Sequence, residues 1–198
     1  MKKSILKKWW FWVIIILVAA FVNNLVGGNN EGAGGGSAGT TVPTTVNEAT
    51  PEQQNALELA DKYLNLASLS YSGLIEILEL YDCTNADAKY AADNCGADWS
   101  EQALGAAKFR VGTSSLFSYS YSGLIESLVL AGFTEEQATY GADNCDADWN
   151  EQAAKSAKTL LRYQLGYEPF SRDGLIEALE SSGFTNAQAV HGAEANGF

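Results

Sequence analysis

Histidine occurs once in this chain, cysteine three times, and basic residues are sparse beyond the first eight positions. Each scarcity excludes something. Three cysteines cannot all pair within one chain, so a complete disulfide framework is ruled out. Cys83, Cys95 and Cys145 lie 12 and 50 residues apart, spacings that match no zinc pattern. A Cys83–Cys95 bridge would have to span a helix of about 18 Å, whereas bridged Cα atoms lie within about 7 Å. Three buried thiols are expected, with Cys95–Cys145 as the alternative bridge. The single histidine, His191, has no recurring nucleophile beside it, which argues against a catalytic role. Basic residues are confined in an equally telling way. Lys2, Lys3, Lys7 and Lys8 precede the first acid, and the rest of the chain sets eight Lys/Arg against 24 Asp/Glu, a balance of −16. So acidic a body repels phosphate and lacks the basic footprint of a nucleic-acid-binding protein.

The basic tail, residues 1–8, runs into "WWFWVIIILVAAFVNNLV" at 9–26, which carries no charge. A bilayer-spanning helix needs about 17–25 mostly apolar residues. Lysines on one flank hold that flank in the cytoplasm, and tryptophans suit the interface. The expectation is a single-pass anchor at the cell membrane, N-terminus inside and the acidic body outside. The alternative is a cleaved signal segment and a secreted body. Residues 27–49 are rich in glycine and cannot bury enough apolar surface to order themselves. They read as a flexible tether with an r.m.s. span of roughly 26 Å.

The remainder repeats itself. "SYSGLIEIL" at 70–78 recurs as "SYSGLIESL" at 120–128 and "SRDGLIEAL" at 171–179. "AADNCGADWSEQA" at 91–103 recurs as "GADNCDADWNEQA" at 141–153, and "AGFTEEQATYGA" at 131–142 as "SGFTNAQAVHGA" at 182–193. Three units follow, at 50–97, 98–147 and 148–198. Each reads as three helices. The first helices begin at Thr50-Pro51, Asp98-Trp99 and Asp148-Trp149, and proline suits the first helical position. The second begin at the N-cap residues Ser70, Ser120 and Ser171. Leu74, Ile75 and Leu78, with their counterparts, form an apolar face at helical spacing. These helices stop at Gly132 and Gly183, which suit the left-handed C′ position, with Phe133 and Phe184 folding back onto Leu128 and Leu179. In the first unit Asp82 and Cys83 fill the same two slots. The third helices begin at Thr84, Thr134 and Thr185. Thr134 with Gln137, and Thr185 with Gln188, make capping-box patterns. The fold class is therefore all-α: three tandem three-helix, helix-turn-helix-like repeats after a transmembrane helix and a glycine-rich linker.

The acid-rich "ADNCDADWNEQA" at 142–153 poses the sharpest chemical question. A calcium loop counted from Asp146 needs Gly sixth and Glu twelfth, and finds Glu151 and Ala157. The sister copy has Gly96 in place of Asp146. Asp98 with Glu101, and Asp148 with Glu151, instead read as capping boxes. No metal, no cofactor and no catalytic constellation is expected, so the chain is not read as an enzyme. Trp99 and Trp149 occur only at the starts of the second and third units, where packing between units is expected.

These motifs, in this order and repeated, resemble the Ltp-like family of host cell surface-exposed lipoprotein repeats. "PFSRDGLIEALESSGFTNAQAVHG" at 169–192 and "SYSYSGLIESLVLAGFTEEQATYGADNC" at 118–145 carry the pattern, and "YDCT" replaces "GFT" in the first copy. The resemblance implies a compact helical unit on a surface-tethered, non-enzymatic protein of Gram-positive bacteria or their phages. It further implies superinfection exclusion, in which passage of another phage's DNA is blocked at the membrane. The chain departs from the family at the anchor. Its first cysteine is Cys83, so none follows the apolar run to carry a lipid, which favours a transmembrane helix.

Net charge adds a partner class. An acidic surface steers a basic protein partner, such as a phage tail or DNA-injection protein. The acidic face is assigned to Glu76, Glu79, Asp87, Glu126, Glu135, Glu136, Glu177 and Glu180. Trp99, Trp149, Gly132, Gly183, Asp98 and Asp148 are assigned structural roles. A cell-envelope scaffold using tandem units for multivalent binding is the alternative function.

Overall fold

A computed structural model describes residues 49–112, 118–163 and 169–198. The basic tail, the apolar segment 9–26 and the linker up to residue 48 lie outside the described residues. Among the described residues there is no strand, and no helix is long and apolar enough to cross a membrane.

Nine helices are described: α1 (Pro51–Leu66), α2 (Tyr71–Leu80), α3 (Asn85–Asn94), α4 (Trp99–Gly112), α5 (Tyr121–Leu130), α6 (Glu135–Asn144), α7 (Trp149–Arg162), α8 (Arg172–Ser181) and α9 (Asn186–Glu194). They associate in threes: α1 to α3, α4 to α6 and α7 to α9. Within each set the first and third helices pack most extensively.

Short side chains allow that close approach. Ala56 and Ala60 of α1 are buried with Ala88, Ala91 and Ala92 of α3. In the later sets the counterpart of Ala91 is glycine, and a Cβ there would sit 2.8 Å (Gly141) or 2.9 Å (Gly192) from the carbonyl oxygen of Ala103 or Ala153. The second helix closes each set from the side. Leu74 and Leu78, Leu124 and Leu128, and Leu175 and Leu179 are all fully buried. Each such leucine contributes about 1.5–3 kcal/mol. The later two sets form two separate apolar clusters.

Caps define the helix ends. Ser70, Ser120 and Ser171 accept the backbone N–H of Gly73, Gly123 and Gly174. Thr50, Thr134 and Thr185 make complete capping boxes with Gln53, Gln137 and Gln188. Asp98 and Asp148 each accept two N–H groups of the following turn. The reciprocal half of their expected boxes is not formed. Glu101 instead accepts from the Tyr140 hydroxyl at 2.7 Å, and Glu151 pairs with Lys155 at 2.9 Å.

The second helices end in a shared reverse turn. Phe133 N–H donates to the Leu128 carbonyl, Phe184 N–H to Leu179, and Cys83 N–H to Leu78. Gly132 (φ 91°) and Gly183 (φ 87°) take the left-handed conformation, and Asp82 takes it at φ 66°. Asp146 (φ 57°) and Gly96 (φ 69°) do the same after α6 and α3. The residue that opened the possible calcium loop is therefore a helix terminator, interchangeable with glycine. Its carboxylate is exposed and lies 3.6 Å from Lys108.

All three cysteines are free thiols. Only Cys145 is buried; Cys83 and Cys95 are half-buried, contrary to the expectation of three buried thiols. Cys83 occupies the slot that Phe133 and Phe184 fill, and being smaller it leaves itself less covered.

Candidate binding face and the unit junctions

The eight acids of the expected face occupy two kinds of position. Glu76, Glu126 and Glu177 lie at the same place in the second helices; the first is half-buried and the others are exposed. The remainder stand at the corner where the second helix gives way to the third. There Glu79 accepts from Asn85 at 2.6 Å and Glu180 from Asn186 at 2.8 Å. Both bonds tie the end of a second helix to the start of a third. Asp87 accepts from the Thr84 hydroxyl. Glu135 and Glu136 lie exposed in the first turn of α6, where acids suit the helix dipole. Part of the assigned face is thus engaged in holding corners, and Glu126, Glu135, Glu136 and Glu177 present charge outward.

A second polar feature recurs on the opposite end of the third helix. Tyr71 donates to Asp93 at 2.8 Å and Tyr121 to Asp143 at 2.7 Å. In the third set Arg172 and Glu194 replace this pair, at 3.4 Å. Donation to a carboxylate raises the Tyr71 and Tyr121 pKa values above the ordinary 10.0. Tyr140 is raised in the same way by its bond to Glu101. Its counterpart His191 is exposed. The half-buried Arg110 bonds Ser127 at 3.1 Å and the Ala106 carbonyl at 3.1 Å, and burial lowers its pKa.

A further set of side-chain contacts recurs between units. The Ser70 hydroxyl donates to the Ala131 carbonyl at 2.7 Å, and Ser72 to the Gly132 carbonyl at 3.3 Å. The next junction repeats this with Ser120 on Ser182 at 2.7 Å and Ser122 on Gly183 at 3.4 Å. Each N-cap serine thus holds its own helix and the next unit's turn at once. Gly132 and Gly183 answer two demands: a left-handed backbone, and room for the serines, which a Cβ would overlap.

Trp99 packs edge-on against Tyr71, with ring centroids 5.5 Å apart, and Trp149 against Tyr121 at 5.6 Å. Gln102 accepts the Leu69 N–H at 3.1 Å, and Gln152 the Tyr119 N–H at 3.3 Å. Gln152 also donates to the Val111 carbonyl at 3.1 Å and is buried. Sequence reasoning placed the tryptophans between units but gave these glutamines no role. The only available signal was their recurrence in "DWSEQA" and "DWNEQA".

Among the described residues no group of His, Cys, Asp or Glu is placed to hold a metal ion.

Residues 51–95 and 148–194 match a family model described as host cell surface-exposed lipoprotein. These segments lie in the first and third units, so the resemblance carried by the motifs is borne out there. The first unit is matched even though its turn reads "YDCT". No curated protein and no solved structure matches the chain.

Proposed function

We propose, from a chain whose first and third units match the host cell surface-exposed lipoprotein family, that it is a membrane-tethered protein-binding module acting in superinfection exclusion. It binds a basic protein of an incoming phage and blocks passage of that phage's DNA. The family match is the observation that carries this reading. Charge supports it: Glu126, Glu135, Glu136 and Glu177 are exposed, which favours a basic partner. The apolar segment 9–26 would hold the module at the membrane, where DNA crosses.

The test uses a Gram-positive host that expresses the full chain. Adsorption and DNA injection are scored separately over a phage panel. Normal adsorption with blocked injection for some phages is the expected result. Unimpeded injection throughout, with the chain shown to be at the surface, counts against exclusion.

Tandem units favour a second reading, a multivalent envelope scaffold. Release of the body from the membrane separates the two. Exclusion needs the tether, and binding to envelope material does not.

A further inference from the structure

Leucine stands exposed at the same place in the first two units. Leu80 ends α2 at 55% exposure, and Leu130 ends α5 at 62%. Leu78 and Leu128, two residues earlier, are fully buried. The core therefore takes the inner leucine of each helix and leaves the last one in solvent. A second apolar side chain is exposed next to each, Tyr81 in the first unit and Val129 in the second. The third unit has neither: Ser181 stands at the leucine position, with Glu180 before it and Ser182 after it. A single exposed hydrophobe is ordinary, but these two corners share more than a leucine. Acids border both. Glu76 and Glu126 lie one turn back on the same helix face. Asp82 follows Leu80 by two residues, Glu135 and Glu136 open the helix after Leu130, and all three are exposed.

Resting on the basic-partner reading above, we propose that Leu80 and Leu130 are apolar contact points within the acidic face, and that they receive a basic amphipathic helix of the partner protein. Charge decides among occupants. A second copy of the same corner would set acid against acid, and an anionic bilayer would do the same. A basic helix neutralises the border while its own apolar residues cover the leucines, as when an amphipathic helix docks by its apolar face. Charge steers arrival, and leucine burial adds affinity that salt does not screen. The Ser70 hydroxyl bonds the carbonyl of Ala131, so Leu130 lies beside the start of α2, and Leu80 lies at its end. Ten helical residues span about 15 Å. One partner helix of three or four turns is long enough to reach both corners, and the two contacts then reinforce each other.

The experiment uses the full-length chain in phosphatidylcholine nanodiscs, with empty nanodiscs as the blank. The probes are two labelled helical peptides of equal length and charge. One is built of lysine, alanine and leucine with the leucines along one face; in the other every leucine is alanine. Fluorescence anisotropy gives both affinities. The wild type should bind the leucine peptide at least about tenfold more tightly. The variant L80S/L130S, which copies the serine of the third unit, should lose that advantage. It should keep its helicity and its affinity for the leucine-free peptide. Equal binding of the two peptides by the wild type overturns the proposal and leaves the basic-partner reading standing, as does an advantage that survives in L80S/L130S. Binding of neither peptide removes the basic-partner reading, and the proposal with it. Should L80S/L130S lose helicity, S181L decides. It gives the third unit the missing leucine and should tighten the leucine peptide alone; an unchanged affinity overturns the proposal.

Discussion

Gly132 and Gly183 show how much one atom decides in this molecule. An added Cβ costs about 1–2 kcal/mol in a left-handed backbone. At these two positions it also pushes into the serine hydroxyls of the preceding unit. Gly132→Ala should therefore destabilise by more than about 2 kcal/mol, measured by urea unfolding. Asp82→Ala, at the matching turn of the first unit, adds no Cβ, because Asp82 already holds the left-handed backbone with one, and should lose only the better tolerance of aspartate for that conformation. The turn itself was legible in the sequence, down to Asp82 standing in for glycine, because local rules of handedness govern it. The second demand was not legible, since the serine that makes it lies about sixty residues away. Gln102 and Gln152 escaped notice for the same reason: a glutamine in the first turn of a helix looks like a solvent residue until its distant partner is seen.

Helices owe their boundaries here to side chains rather than to length. The second and third helices have nine or ten residues, too short to persist alone in water. Serine and threonine caps and the leucine pairs make up the difference. Thr134→Ala should cost about 1 kcal/mol, and Leu128→Ala about 2–5 kcal/mol, both read from thermal unfolding. Tyrosine–aspartate bonds fasten the start of α2 to α3 and the start of α5 to α6. Their tyrosine pKa values are raised in the folded state, so the stability they give is intact below pH 10.0, the ordinary tyrosine value, and is lost as pH rises through the raised values. Stability measured from neutral to alkaline pH should fall above that point. The fall should be smaller in Tyr71→Phe/Tyr121→Phe, which has no such bond to lose. These fastenings link residues 22 positions apart, beyond any capping rule, and the sequence reading missed them.

Three similar bodies in one chain make charge a collective property. Replacing Glu76, Glu126 and Glu177 together by glutamine should weaken binding of a basic partner and flatten its salt dependence, with helicity unchanged. Unaltered binding would move the contact to another face. The all-helical character and the grouping into threes were plain from repetition alone. The division of labour among the acids was not. Glu79 and Glu180 sit in the same repeating pattern as the others, yet each is drawn into holding a corner by an asparagine six residues on. Repetition reveals which positions are equivalent, and geometry decides what each one is free to do.

The junctions also set how the body meets a mechanical load. Each set of helices keeps its own leucines, while among the described residues neighbours are joined by hydroxyl and amide bonds, a ring contact and, at the second junction, the packing of Trp149 against the apolar cluster of the preceding set. A hydrogen bond is worth about 0.5–1.5 kcal/mol net, far less than a packed core. Under tension along the chain the joints should part first and the cores last. The body would then lengthen in steps and close again when the load is removed, in the manner of a shock absorber.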